Sequence, residues 1–320
     1  MTETVLKTDD ALVPVTEDDL TLLAEAGGEL VARHCPSEEE LIEHGREAAA
    51  LLVVYEPVTA RVLAGLSRCR LVVKVGIVVD NIDLDAAREA GVAVANVPDY
   101  CLDEVSDHAL ALLLALARRL VPLQRAALEG IWDTPAVAGP LPRLRGQTLG
   151  LVGFGRIARA LAAKATPIGL RIVAHDPYVS DDVVAAAGAR SVSLETLLAE
   201  SDWVSLHVPL NTETHHLLDR ERLRAMRPGA FVLNVSRGGL VDEDALAEEL
   251  RAGRVGGAGL DVFEVEPAPP DHPLLALPNV LATSHAAYYS VESLAELGHR
   301  GFAEAARALR GEPARNVVNE

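Results

Sequence analysis

Short runs of Val, Leu, Ile and Ala alternate with helical patterns along almost the whole chain, in two successive series. In the first, the runs VARHC, AALLVV, LVVKVG and VAVANV are separated by TEDDLTLLAEAG, SEEELIEHG, VTARVLAGLS and DLDAAREAG. The apolar runs lack strict polar–apolar alternation, so both faces of each strand are buried. Strands of that kind, spaced by helices, predict a parallel sheet covered on both sides. Thr16 and Ser37 fit as helix N-caps, each with acids following in the first turn. The second series runs from Thr148 to about His285, with TLGLVG, RIVAHD, WVSLHV, AFVLNV, VGGAGLDV and NVLATS as its strands. The pattern predicts an α/β chain with two doubly wound parallel-sheet domains.

At 320 residues there is enough chain for two cores. Between the two series, DEVSDHALALLLALARR predicts one long helix over 103–119, acidic at its start and basic at its end as the helix dipole favours. The following EGIWDTPAVAGPLPRLRGQ has no period and reads as a linker or surface loop. A last helical stretch, roughly Val291 to Leu309, returns most simply to the first series. The expected boundaries are therefore 1–100 plus 290–320 for an outer domain and 101–289 for a domain inserted in it.

The apolar share is 49%, which excludes disorder, and the net charge is −18, which disfavours nucleic acid and anionic membranes as partners. Cys35, Cys69 and Cys101 have no metal-like spacing, and an odd, sparse set suits a reducing cytoplasm. MTETVLKTDD is polar and acidic, unlike a secretory leader. The longest apolar stretch, Ala109 to Ala117, falls far short of the roughly 20 residues of a membrane span. The expectation is a soluble cytoplasmic protein.

TLGLVGFGRIARALA carries Gly153-x-Gly155-x-x-Ala158 directly after a strand and at the mouth of a helix. Gly153 permits the tight turn, Gly155 lets backbone approach a pyrophosphate at the helix N-terminus, and Ala158 allows close helix–strand packing. Asp176 ends the next strand, where a carboxylate accepts from both ribose hydroxyls of NAD and repels the 2′-phosphate of NADP. A glycine-rich turn alone is a common feature. The strand before it, the helix after it and the acid beyond it make a dinucleotide site the reading here.

Arg237, Asp261, Glu266 and His285 each follow a strand of the second series. All four can therefore face the carboxyl edge of its sheet, where open α/β folds bind ligands. A histidine, a carboxylate and an arginine beside a nicotinamide suffice to reduce a carbonyl: one donates the proton, one favours the imidazolium, one holds the substrate. Spacing alone does not select His285 among ten histidines. His215 and His216 read as surface or cofactor-edge residues, and His108 as packed or capping.

From about Lys74 to Asn319 the chain resembles the D-isomer-specific 2-hydroxyacid dehydrogenases, closest to their C-terminal-binding-protein-like branch. The likeness is carried by DNIDLDAA, NVPDYCLDEVSDHALALLLALARRL, LGLVGFGRIARA, SLHVPLNTETHHLL, PGAFVLNVSRGGLVDEDALAEEL, GAGLDVFEVEP and HAAYYS. It implies a flavodoxin-like substrate domain with a Rossmann cofactor domain inserted in it. It also implies NAD as cofactor, a 2-oxo or 2-hydroxy acid as substrate, no metal, and a homodimer joined through the cofactor domain and its long helix. Carried over by position, His285 becomes the acid/base, Glu266 its partner and Arg237 the substrate anchor. Lys74, Ile77, Val78, Tyr100 and Tyr288 join Arg237 around the substrate. Cofactor contacts are implied at Ile77, Gly153, Gly155, Arg156, Ile157, Asp176, Val208, Pro209, Thr214, Val235, Ser236, Asp261, His285 and Tyr288.

KVGIVVDN, at 74–81, departs from that pattern. Lys74 stands where the family has arginine, and Val78 stands where it has a glycine whose N–H binds the substrate carboxylate. Ser284 replaces a common proline and Tyr288 a frequent tryptophan. All four changes map around the substrate. The leading expectation is an NAD-dependent 2-oxo acid reductase. A dehydrogenase for a different anion and a corepressor-like NAD-sensing scaffold stand as its alternatives.

Overall fold

The computed structural model describes residues 2–8 and 13–319. The chain divides into two compact units, Met1–Tyr100 with Tyr289–Glu320, and Cys101–Tyr288.

The first unit runs β1 (Glu3–Lys7), α1 (Glu17–Glu25), β2 (Gly28–Ala32), α2 (Glu38–Gly45), β3 (Ala48–Val53), α3 (Ala60–Gly65), β4 (Leu71–Lys74), α4 (Leu84–Glu89) and β5 (Ala93–Asn96). Its strands are all parallel, in the order β2-β1-β3-β4-β5, the flavodoxin-like order. Thr16 and Ser37 do cap α1 and α2, their hydroxyls accepting from Asp19 N–H and Glu40 N–H. β1 was not expected. Its ETVLK shows only two apolar residues in a row, yet Val5 and Leu6 are fully buried and the strand lies between β2 and β3. VARHC is likewise displaced: β2 ends at Ala32.

The second unit begins with α5 (Leu102–Ala117), followed by α6 (Leu120–Leu128), α7 (Thr134–Ala138), β6 (Thr148–Val152), α8 (Arg156–Ala165), β7 (Arg171–His175), α9 (Asp181–Ala186), β8 (Arg190–Ser191), α10 (Leu194–Glu200), β9 (Trp203–Leu206), α11 (Arg220–Ala225), β10 (Phe231–Asn234), α12 (Glu243–Arg251), β11 (Gly257–Leu260) and β12 (Val280–Ala282). The seven parallel strands are ordered β12-β11-β10-β9-β6-β7-β8. This is a Rossmann-type sheet whose order reverses between β6 and β9, the switch point at which such sheets bind ligands. Its core includes Leu206, Val232, Leu246 and Leu260.

Two sequence expectations fail here. The long helix stops at Ala117, because Arg119 takes a left-handed conformation (φ 51°) and starts α6. The stretch read as an aperiodic linker contains α7, capped by Asp133, whose carboxylate accepts from Ala136 N–H. α5 turns Val105, Ala109, Leu112, Leu113 and Leu116 inward and packs on α8, β10 and β11 of its own unit. Finally α13 (Val291–Leu309) returns to the first unit, packing on α1, β3 and β4.

Candidate active site

In the second unit, residues singled out above follow β6, β7, β9, β10 and β11: Gly153, Asp176, Val208, Val235 and Asp261. Gly153 follows β6 with φ at +87°, and a Cβ there would meet the His207 carbonyl oxygen at 2.7 Å, so only glycine fits the turn. Gly155 is the opposite case. A Cβ on it would meet nothing within 4 Å, which leaves open space in front of the N-terminus of α8. Its N-cap, Gly155, makes no side-chain cap bond, and a helix start of this kind, at Arg156 and Ile157, suits a phosphate. Asp176, after β7, accepts Phe154 N–H on one oxygen (2.8 Å) and Tyr178 N–H on the other (2.9 Å). The glycine turn and the acid after β7 are thus one hydrogen-bonded unit. Turn, open space, helix N-terminus and acid together fit a dinucleotide.

Beyond β9, Val208 and Pro209 lead into a tight loop in which the Thr214 hydroxyl donates to Pro209 O (2.6 Å) and accepts from Asn211 N–H (2.8 Å). Beyond β10, the Ser236 hydroxyl donates to Leu206 O (2.8 Å) and locks the end of β10 to that of β9. Val235 is buried beside it. Arg237 follows, half-buried, its guanidinium donating to Ser236 O at 2.8 Å. The next residue must be glycine, since a Cβ on Gly238 would fall 1.9 Å from the Phe263 carbonyl carbon. That close approach brings the Arg237 turn against segment 263–266.

His285 and Glu266 are brought together there. Nδ1 of His285 lies 2.6 Å from Oε2 of Glu266, and Oε1 of Glu266 accepts Phe263 N–H at 3.0 Å. Burial alone would push the Glu266 carboxyl up. The hydrogen bonds from His285 and Phe263, with the charges of His285 and Arg237, outweigh it and leave the group below its ordinary value. Nδ1 being committed to Glu266, Nε2 is the nitrogen left for a substrate. Tyr288 meets the His285 ring edge-on, centroids 6.4 Å apart.

Sequence reading treated Asp261 as a cofactor contact. The structure shows its side chain fully buried, accepting from Thr283 Oγ1, Ala286 N–H and Ala287 N–H. His108, read as packed or capping, hydrogen-bonds Thr283 Oγ1 at 2.9 Å. His215, His216 and Glu264 bring three donor atoms within 4.8 Å of one another. The two rings stack with planes 26° apart, so their in-plane lone pairs run side by side instead of converging. His216 is already bonded to Glu264, and the cluster is a hydrogen-bonded surface pair.

In the first unit, the KVGIVVDN loop leaves the carboxyl end of β4. Lys74 is buried, and its amine donates to Val54 O and to Asn81 Oδ1 (2.8 Å for the latter). Asn81 in turn donates to Glu56 O at 2.8 Å. The Ile77 carbonyl accepts from Asn96 Nδ2 at 2.5 Å. Lys74 is therefore the internal strut of its loop, a role that neither Asn81 nor Asn96 revealed by spacing. Val78 is half-buried and is not among the non-glycine residues at positive φ, so a valine fits this backbone without strain. Tyr100 is buried at the end of the unit.

Residues 110–287 match the family model for the D-isomer specific 2-hydroxyacid dehydrogenase NAD binding domain. The chain is 40% identical over 290 residues to the glyoxylate reductase of Korarchaeum cryptofilum, covering 89% of this chain and 87% of that protein. It is 36% identical over 307 residues to the D-3-phosphoglycerate dehydrogenase of Archaeoglobus fulgidus, covering 96% of this chain but only 58% of that longer protein. Among solved structures, TT0316 protein of Thermus thermophilus superposes with a TM-score of 0.88 at 38% identity, covering 98% of this chain and 99% of that one. Fold and site together define an NAD(P)-dependent oxidoreductase. The chain belongs to the D-isomer-specific 2-hydroxyacid dehydrogenase family, whose reaction interconverts 2-oxo acids and D-2-hydroxy acids.

Proposed function

We propose that this chain uses NADH to reduce a small 2-oxo acid to its D-2-hydroxy acid, with His285 as proton donor, Glu266 as its partner and Arg237 as anchor for the substrate carboxylate. The observation that carries this is the 2.6 Å contact between His285 Nδ1 and Glu266 Oε2 at the sheet edge that also presents the glycine turn. When bound, the nicotinamide supplies the hydride. The chain's own residues hold the carbonyl near Nε2, deliver the proton, and return Glu266 and His285 to their hydrogen-bonded pair. The unit built on β1–β5 and α13 is assigned to substrate binding, with Lys74, Ile77, Val78 and Tyr100 on that side and Tyr288 beside His285. Glyoxylate, the substrate in the name of the 40%-identical relative, is the first acid to test.

The named relatives give no support to the narrower likeness to the C-terminal-binding-protein branch, and an intact His–Glu pair favours turnover over scaffolding. We assign the protein to the cytoplasm. No helix among the described residues is long and apolar enough to cross a membrane. Burial pushes the free Cys35 and Cys69 thiols up to about 11 and about 12, as suits cysteines that merely pack. A homodimer is also proposed, supported by the exposed Leu120, Leu128, Ile131 and Trp132 on and after α6. Light scattering should report twice the 33.9 kDa chain mass. NADH consumption over 2-oxo acids of graded size, with chiral analysis of the product, tests the catalytic reading. Formation of D-2-hydroxy acid supports it, and absence of turnover on every acid in the series overturns it.

A further inference from the structure

Among the described residues, His285 is one of three non-glycine residues held at positive φ (+53°). A side chain there is strained and persists only where its surroundings hold it. One residue does most of the fixing. The Asp261 carbonyl accepts His285 N–H at 2.7 Å, while its carboxylate accepts Ala286 N–H at 2.8 Å and Ala287 N–H at 2.9 Å. That carboxylate has no solvent exposure. Its remaining partner is the Thr283 hydroxyl, 2.6 Å from Oδ1, and behind Thr283 stands Nε2 of His108 on α5, 2.9 Å from Oγ1 and 3.5 Å from Asp261 Oδ1.

Donor and acceptor counting orders this chain. A carboxylate that takes backbone N–H groups on both oxygens acts as an acceptor, so Thr283 gives its one proton to Asp261. The Thr283 oxygen must then accept from His108, and His108 must carry its hydrogen on Nε2. We propose that His108 is a positioning residue for the reaction: through Thr283 it orients the Asp261 carboxylate, and so holds the left-handed turn that presents the His285 imidazole. This rests on the reading of His285 as the acid/base. Nothing in it requires His108 to change charge or to touch the substrate.

The first test is made on the cofactor-free protein. Long-range 1H–15N NMR of 15N-histidine-labelled protein should show the His108 signals, assigned by their loss in His108→Gln, as bearing hydrogen on Nε2. A hydrogen on Nδ1 alone overturns the proposal. The second test is kinetic. His108→Leu removes the donor and should lower kcat on the best 2-oxo acid by about tenfold with KM changed less. Thr283→Val should do the same, and the double variant should be no worse than either single one, because both break one chain. His108→Gln keeps an Nε2–H donor and should stay within about threefold of wild type. If Gln is as impaired as Leu, or the two single losses multiply in the double variant, the contact is packing alone. Thermal melts identify a variant that has lost its fold, and the NMR result decides independently of it. Failure of the parent reading looks different: His285→Ala would keep wild-type kcat while the His108 tautomer remained as stated.

Discussion

Glu266 divides its two oxygens between the catalytic candidate and the backbone: Oε2 lies 2.6 Å from His285 Nδ1 and Oε1 accepts Phe263 N–H at 3.0 Å. The carboxylate is therefore fixed in place before it fixes the imidazole, and Phe263 itself is positioned by the contact with Gly238. Positioning of this kind is what proton transfer needs, since a displaced ring loses rate even when its chemistry is intact.

Removing the charge of Glu266 while keeping its shape should move the pH dependence. In Glu266→Gln the imidazolium loses its carboxylate partner, so the alkaline limb of the kcat profile for reduction should shift to lower pH. The sign for Glu266 itself runs the other way. Its folded-state value lies below the ordinary 4.5, so the wild-type pair contributes stability above that pH and loses it as pH falls through the depressed value. A profile of Glu266→Gln that overlays wild type across pH 5–10 would remove Glu266 from the pair.

Asp176 should set cofactor choice. NADH should be preferred to NADPH by at least ~100-fold in kcat/KM, about 2.7 kcal/mol, from repulsion of the 2′-phosphate and loss of ribose hydrogen bonds. Asp176→Ala should weaken NADH and relieve the penalty on NADPH. It should also loosen the glycine turn, because Phe154 N–H loses its acceptor. Equal use of the two nucleotides by wild type contradicts this assignment.

The two glycines on either side of the site should respond in opposite ways to a single methyl. Gly238→Ala drives a Cβ into the Phe263–Glu264 backbone at 1.9 Å and should cost about 1–3 kcal/mol of stability, with kcat falling as Glu266 moves. Gly155→Ala meets no protein atom within 4 Å, so its melting temperature should stay within about 2 °C of wild type. Its KM for NADH should rise instead, because the methyl occupies the space in front of α8. Comparable melting losses in both variants would show that this space is not kept for a ligand.

Lys74 is expected to act through its loop. Lys74→Met leaves Val54 O and Asn81 Oδ1 without the buried amine and should cost about 1–3 kcal/mol. KM for the 2-oxo acid should rise more than kcat falls. A variant as stable as wild type, with kcat alone reduced, would indicate a direct catalytic role for the amine.

How legible this site was depended on how local its causes are. The parallel sheets, the caps at Thr16 and Ser37 and the turn at Gly153 follow from residues adjacent in the chain, and all three were readable. β1 was not, because two buried residues between polar neighbours carry no pattern of their own. Its burial comes from strands 20 to 50 residues away. The inward side of Lys74 was hidden for a related reason: one partner, Val54, follows a different strand, and the other, Asn81, is reached only once the loop closes on itself. Asp261, Thr283 and His108 are separated by up to 175 residues, and only the folded sheet shows that they are one hydrogen-bonded chain. The end of the long helix at Ala117 was masked by good helix formers on both sides of the left-handed Arg119.

The most direct test of the proton-transfer assignment is His285→Ala, measured on the best 2-oxo acid alongside an NADH titration by fluorescence. The account predicts a kcat lower by roughly 10²–10⁴ with the NADH dissociation constant within about threefold of wild type. A variant that binds NADH normally and retains kcat within a factor of about three would contradict it, and the proton would have to come from another group.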